Sequence, residues 1–257
     1  MLTRGTLILP TTPPLSVPVV IIGTLFSDGK GNERGEVTVN AGAPVPGTGL
    51  AEFTATLDGT YDVDTDGTGD FTADATMTPP AMSAAAPAPF QLGGALVIDD
   101  EDREVRFLST GSNRVLLTTA RKQHPPKDGF SNGSLRGNWG FSCQGALVRL
   151  VGDPTAVESP LAVVGLITDD GKGGFSAEVT ANTAGVTVQS TFSGHNEVAS
   201  DGTFSATATS ADPLLTNLRG VIDNKNEFRL ISIDPGKIVS CTARRQGNPG
   251  QKKDEND

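Results

Sequence analysis

The chain has 257 residues, 36% hydrophobic and 5% aromatic, with 31 glycines, 17 prolines, two cysteines and a formal net charge of −10. That length holds one large or two small domains, each half long enough to bury a core of its own. The acidic balance argues against nucleic acid, whose phosphates require a basic patch, and against an anionic membrane surface.

The N-terminal stretch MLTRGTLILPTTPP lacks the shape of a signal peptide, so the reading is either an intracellular chain or a secreted one whose signal has been removed. The longest apolar run, VPVVIIGTLF at 17–26, is too short to cross a bilayer as a helix and contains Pro18 and Gly23. It reads as a buried strand. A turn, SDGKGN (27–32), follows, and then EVTVN (36–40) and FTATLDGTYDV (53–63) alternate apolar and polar residues, the period of a half-buried strand. Asp-Gly pairs at 28–29, 58–59, 66–67, 170–171 and 201–202 suit hairpins, because glycine takes positive φ without steric penalty.

The segment DVDTDGTGD (62–70) is the most chemical-looking. Asp62, Asp64 and Asp66 followed by Gly67 match the first half of a calcium loop, whose alternate carboxylates converge on one ion. The bidentate acid expected at the twelfth position is Ala73, and no flanking helix is predicted. The alternative is a solvated strand ending in an Asp-Gly hairpin, and no other cofactor is suggested. Next comes TPPAMSAAAPAPF (78–90), a Pro/Ala-rich loop, read as mobile or as a lid over a cavity.

The hairpin EVRFLSTGSNRVLLTTARKQ (104–123) returns as EFRLISIDPGKIVSCTARRQ (227–246), and other blocks recur in the same order. GTLFSDGKGN (23–32) matches GLITDDGKGG (165–174), EVTVNAG (36–42) matches EVTANTAG (178–185), and LVIDDEDREVRF (96–107) matches RGVIDNKNEFRL (219–230). The chain is therefore a tandem duplication. Repeat one covers about 1–124, a turn-rich linker 125–133, repeat two 134–247, and a polar tail, read as disordered, 248–257. Repeat two shows eight strands, near 138–148, 160–168, 175–182, 186–193, 203–209, 217–222, 227–233 and 237–245.

Eight hairpin-linked strands hide their edges by closing into an up-and-down barrel, so the fold class is all-β: two consecutive antiparallel barrels. Closure sets the first strand of a barrel against the last. Cys143 lies on the first strand of repeat two and Cys241 on the last, which predicts a disulfide and an oxidising compartment, secreted or cell envelope. The alternative is two reduced, buried thiols in a cytoplasmic protein. Aligned by sequence, repeat one carries Thr11 opposite Cys143 and Thr118 opposite Cys241.

GNWGFSCQGAL opening repeat two, the DDGKGG turn and the closing EFRLIS…VSCTARRQ resemble the calycin-like barrels, in particular bacterial allene oxide cyclase-like and lipocalin-like barrel proteins. Gly137, Asn138 and Trp139 match the Gly-x-Trp of the first lipocalin strand, where repeat one has Gly5-Thr6-Leu7. The resemblance implies a barrel with Trp139 plugging its base, and it carries over no active-site residue.

Arg121 and Arg244, followed by Lys122 and Arg245, end both closing strands and read as an anion clamp at a barrel mouth or as stems covering its open end. Asp100 and Asp223, and Glu104 and Glu227, recur at hairpin ends as partners for these arginines or as solubilising charges. His124 and His195 are not repeat equivalents and read as surface residues, and Asn132-Gly-Ser134 is a glycosylation sequon. Three functions remain open: a non-enzymatic protein binding a small apolar ligand or a surface partner, self-association included; a cyclase or isomerase that moulds a substrate in a dry barrel; and a structural or assembly subunit.

Overall fold

The alternation read along the chain becomes sixteen strands among the described residues. The structure, a computed structural model, describes residues 1–9, 15–45, 50–78, 90–99, 103–109, 111, 114–148, 159–209 and 215–247. The Pro/Ala-rich loop, the polar tail, Asp100 and Thr11 lie outside the described residues.

Barrel one is built from β1 (Leu2–Leu9), β2 (Leu15–Ser27), β3 (Asn32–Val45), β4 (Leu50–Val63), β5 (Thr68–Thr78), β6 (Phe90–Asp99), β7 (Glu104–Ser109) and β8 (Arg114–Arg121). Barrel two is built from β9 (Gly137–Leu147), β10 (Ser159–Asp169), β11 (Gly174–Thr183), β12 (Val186–Val198), β13 (Thr203–Ala208), β14 (Asn217–Asn224), β15 (Glu227–Ser232) and β16 (Lys237–Arg245). Each strand pairs antiparallel with the next, and each sheet closes on itself, β8 on β1 and β16 on β9. Both are closed up-and-down barrels, as expected. A 3-10 turn (Asn132–Leu135) leads into barrel two.

The hairpin devices are duplicated as well. The Asp28 carboxylate accepts from the N–H groups of Lys30 (2.7 Å) and Asn32 (3.1 Å), and that of Asp170 from Lys172 (2.6 Å) and Gly174 (3.0 Å). Gly29 and Gly171 take φ of +69° and +75° there, which is why the turn needs glycine.

Ladder register corrects one alignment. Cys241 stands opposite Cys143, and Thr118 stands opposite Thr3, so the counterpart of Cys143 is Thr3 and not Thr11. The two threonine hydroxyls are hydrogen-bonded at 2.7 Å where barrel two has its cysteine pair. By the same register Gly5-Thr6-Leu7 matches Gly145-Ala146-Leu147 rather than Gly137-Asn138-Trp139. Both glycines are places of close strand approach, where an added Cβ would sit 2.0 Å from the carbonyl oxygen of Val115 or Ile238.

Each barrel has its own core. Val17, Val19, Val37, Phe53, Leu57 and Leu116 belong to that of barrel one; Trp139, Phe141, Leu161, Phe204, Phe228 and Leu230 belong to that of barrel two. A third cluster forms between them. Val20 and Ile22 on the outer face of β2 pack against Val221, Ile231, Ile233 and Ile238 of barrel two. Every residue of β15 is buried, half of them inside the barrel and half against its neighbour. The barrels lie side by side along a seam.

Candidate functional site

The interior of barrel two is occupied by its own side chains. Trp139 is fully buried and stacks edge-on to Phe228 at 4.8 Å, with Phe204 at 5.5 Å from Phe228. The Trp139 indole N–H donates to the Leu135 carbonyl at 2.6 Å, which ties the 3-10 turn across the base. A cavity among these side chains, lined by residues including Ile167, Phe175 and Leu218, has a volume of about 30 Å³. That is room for a water molecule and not for a ligand of several rings.

Asp169 borders this space and accepts from the Gly171 N–H at 2.7 Å and the Asn196 amide at 2.5 Å. Burial nevertheless raises its carboxyl above the usual range. The base is covered from outside by Arg245, whose guanidinium lies 4.4 Å from the Trp139 ring centre and donates to the Arg136 and Lys225 carbonyls. The covering arginine is thus Arg245. Arg244 is 71% exposed and sits 3.4 Å from Glu227, and Arg121 belongs to the seam.

Cys143 and Cys241 are paired across the closing strands with sulfur atoms 2.03 Å apart, and both side chains are buried in the barrel-two core. Asp62, Asp64 and Asp66 are all exposed and do not gather around one point. Asp66 is turned back onto Thr68, accepting from its N–H (3.0 Å) and hydroxyl (2.6 Å). Asp201 does the same with Thr203 at 2.9 and 2.7 Å, so the Asp-Gly-Thr sequence is a repeated hairpin device. Among the described residues no group of three His, Cys, Asp or Glu side chains is placed to hold a metal ion. His124 and His195 are exposed and lie on separate elements, and the Asn132 side chain accepts from the Val198 N–H at 2.9 Å.

The chemistry concentrates at the seam. Asp223 and Arg229, 1% and 4% exposed as side chains, form a bidentate pair at 2.6 and 2.7 Å. Arg229 also donates across the seam to the Thr119 carbonyl at 2.8 Å. Register makes Asp99, and not Asp100, the repeat counterpart of Asp223, and Asp99 and Arg106 pair 3.0 Å apart with both side chains 52% exposed. Arg121 bridges the two equivalent glutamates, Glu104 at 2.8 Å and Glu227 at 2.5 Å. Asn40, fully buried, donates to the Ser232 and Lys237 carbonyls at 2.7 and 3.1 Å. Sequence reading missed Asn40. The available signal was its repetition as Asn182 inside the matched EVTVNAG and EVTANTAG blocks.

Two clefts flank the seam. One of about 540 Å³ is lined by Phe26, Arg34, Glu36, Gln123, Phe130 and Asp201, and the Arg34 guanidinium lies 5.1 Å from the Phe26 ring centre. The other, about 530 Å³, is lined by Arg4, Pro18, Gln144, Pro160, Ala162 and Asn182 among others.

The seam is acid-labile by construction. Burial alone would raise the Glu104 carboxyl, but hydrogen bonds from Arg106 and Arg121 outweigh it and hold the group below its ordinary range. Asp234, beside the carbonyls that Asn40 uses, is lowered against its burial by the N–H groups of Thr216 and Asn217. A carboxylate lowered in the fold contributes stability that is complete above its unfolded pKa, about 4, and is lost as pH falls through the lower folded value. Asp169 and Glu52, both raised chiefly by burial, act oppositely and are relieved on mild acidification. Thermal midpoints are therefore expected to fall below about pH 4. A midpoint that does not change down to about pH 3 would contradict the assignment.

The fold and seam define a tandem of closed antiparallel barrels joined along one face. No protein-family model matches the chain, and no curated protein matches it. Among the described residues no helix is long and apolar enough to cross a membrane.

Proposed function

We propose that this is a non-enzymatic, secreted or cell-envelope protein that binds a surface partner through the outside of its barrels, with the lumen of barrel two serving as scaffold. The observation that carries this reading is the filled lumen, about 30 Å³ around Trp139, Phe204 and Phe228. A cyclase or isomerase that moulds its substrate inside a dry barrel needs that space. The outer faces, in contrast, hold large apolar side chains in the open, such as Leu108 (50% exposed), Val115 (59%), Leu117 (57%) and Val164 (57%). The cysteine pair is in keeping with an oxidising compartment. The closed base under Arg245 is in keeping with the calycin-like resemblance.

A second reading, a small apolar ligand inside barrel one, has one observation of its own. Ala41, Ala55, Ala73 and Ala75 are buried there, four small side chains on the adjoining strands β3, β4 and β5.

One titration separates the two. Trp139 is the only tryptophan and lies in the lumen of barrel two, so a ligand entering it must alter its emission. With oleic acid and anthracene as probes, Trp139 emission is expected to stay constant and native mass spectrometry to show the bare chain. A stoichiometric complex with silent Trp139 would establish the second reading. A saturable change in Trp139 emission would overturn the exterior reading.

A further inference from the structure

The seam joins two different faces. Barrel two contributes the outer face of β14–β16, with Val221, Arg229, Ile231, Ile238 and Ser240. Barrel one contributes the outer face of β2 and β3, with Val20, Ile22 and Asn40. Because the chain is duplicated, each barrel owns both faces, and the seam uses only one from each.

Register identifies the two unused faces residue by residue. In barrel one, Val97, Arg106, Leu108, Val115 and Leu117 occupy the ladder positions of Val221, Arg229, Ile231, Ile238 and Ser240. In barrel two, Ala162, Val164 and Asn182 occupy those of Val20, Ile22 and Asn40. Every one of the seam residues is buried; every one of these counterparts is open except where chain neighbours cover part of it. Six of the nine large hydrophobic side chains exposed among the described residues (Val97, Leu108, Val115, Leu117, Val164 and Leu166) fall on these two faces. Chance exposure would scatter them around both barrels.

The polar partners are duplicated too. Arg121 reaches Glu227 across the seam, and its counterpart Arg244, which sits beside Glu227 in its own barrel, is 71% exposed. Asn40 donates to backbone carbonyls at the β15–β16 hairpin; Asn182 is exposed and turned onto Thr187. Ala162 and Asn182 look into the 530 Å³ cleft beside barrel one, while Val164 and Leu166 stand clear of it.

We propose, building on the exterior reading, that the partner is a second copy of this chain. The β6–β8 face of barrel one in one molecule docks on the β10–β11 face of barrel two in the next and repeats the internal seam between molecules. The two patches differ, so the contact is heterologous and propagates head to tail, as a filament or a ring.

The test uses the full chain at near-physiological ionic strength, about 0.15 M, where the Debye length is about 8 Å and the net charge of −10 is screened. Sedimentation velocity of the wild type is expected to show mass rising with concentration through dimer to longer species. Leu108→Asp and Val164→Asp, both at exposed strand positions that tolerate a charge, are each expected to remain monomeric with an unchanged thermal midpoint. Mixing the two variants leaves one intact junction, so a 1:1 dimer and nothing larger is expected. A wild type that stays monomeric at the highest attainable concentration overturns the proposal, and so does either variant dimerising with itself. In that case an unchanged Trp139 signal with the lumen probes would leave the exterior reading in place.

Discussion

Replacing Cys143 and Cys241 together by threonine is expected to destabilise barrel two by roughly 2–5 kcal/mol. The bond closes a loop with a sequence separation of 98. In the chain-entropy account a loop of that size restricts the unfolded ensemble by about 4–5 kcal/mol, and measured losses run somewhat lower. Threonine imports the arrangement that barrel one uses, the Thr3–Thr118 hydroxyl pair at 2.7 Å, and one such hydrogen bond returns about 0.5–1.5 kcal/mol. The barrel still closes, because the β9–β16 ladder does not depend on the sulfur atoms. Trp139 sits on β9 beneath Arg245, so its emission during urea unfolding reports on the affected half. A midpoint shift worth less than about 1 kcal/mol would mean that the ladder and core, and not the cross-link, hold the closing strands together.

The second large effect separates two copies of one ion pair. Asp223→Ala leaves the Arg229 guanidinium buried at 4% exposure with its bidentate partner gone, and a loss of about 3–5 kcal/mol is expected. Asp99→Ala removes the equivalent partner of Arg106, which is 52% exposed, and a change of about 0–1 kcal/mol is expected. The residue types and the strands that carry them are repeat equivalents. The neighbouring barrel desolvates one pair and leaves the other in water. Urea midpoints of the two variants, measured in dilute protein, check the contrast. Similar losses at the two sites would show that burial at the seam is not what makes the Asp223 pair matter.

Much of the architecture was readable in advance. The eight strands expected in repeat two lie close to those observed, with β12 extending to Val198 instead of ending near 193. The Asp62–Asp70 segment was readable only as an ambiguity, because an Asp-rich turn has the same local pattern whether its carboxylates converge on an ion or fold back onto Thr68. The pairing of β1 was misread. Its residues resemble those of β9 too weakly for sequence to set the register, whereas the hydrogen-bonded ladder with β8 allows one alignment.

The sequence by itself determined what depends on near neighbours: strand and turn positions, from period-two alternation and Asp-Gly pairs, and the duplication, from colinear blocks. Only the tertiary structure decided which outer face meets which. The run VPVVIIG announces a strand that is apolar on both sides, and the inward side belongs to its own barrel. The outward side, Val20 and Ile22, is covered by Ile231 and Ile238, more than 200 residues away. Burial is a property of contacts between distant segments, so Ile231 at 0% exposure and its counterpart Leu108 at 50% look alike in sequence. The same holds for Asn40 and Asn182, Arg121 and Arg244, and Arg229 and Arg106. Each pair shares a residue type and a place in the repeat, and what tells its members apart is the barrel that lies against one of them.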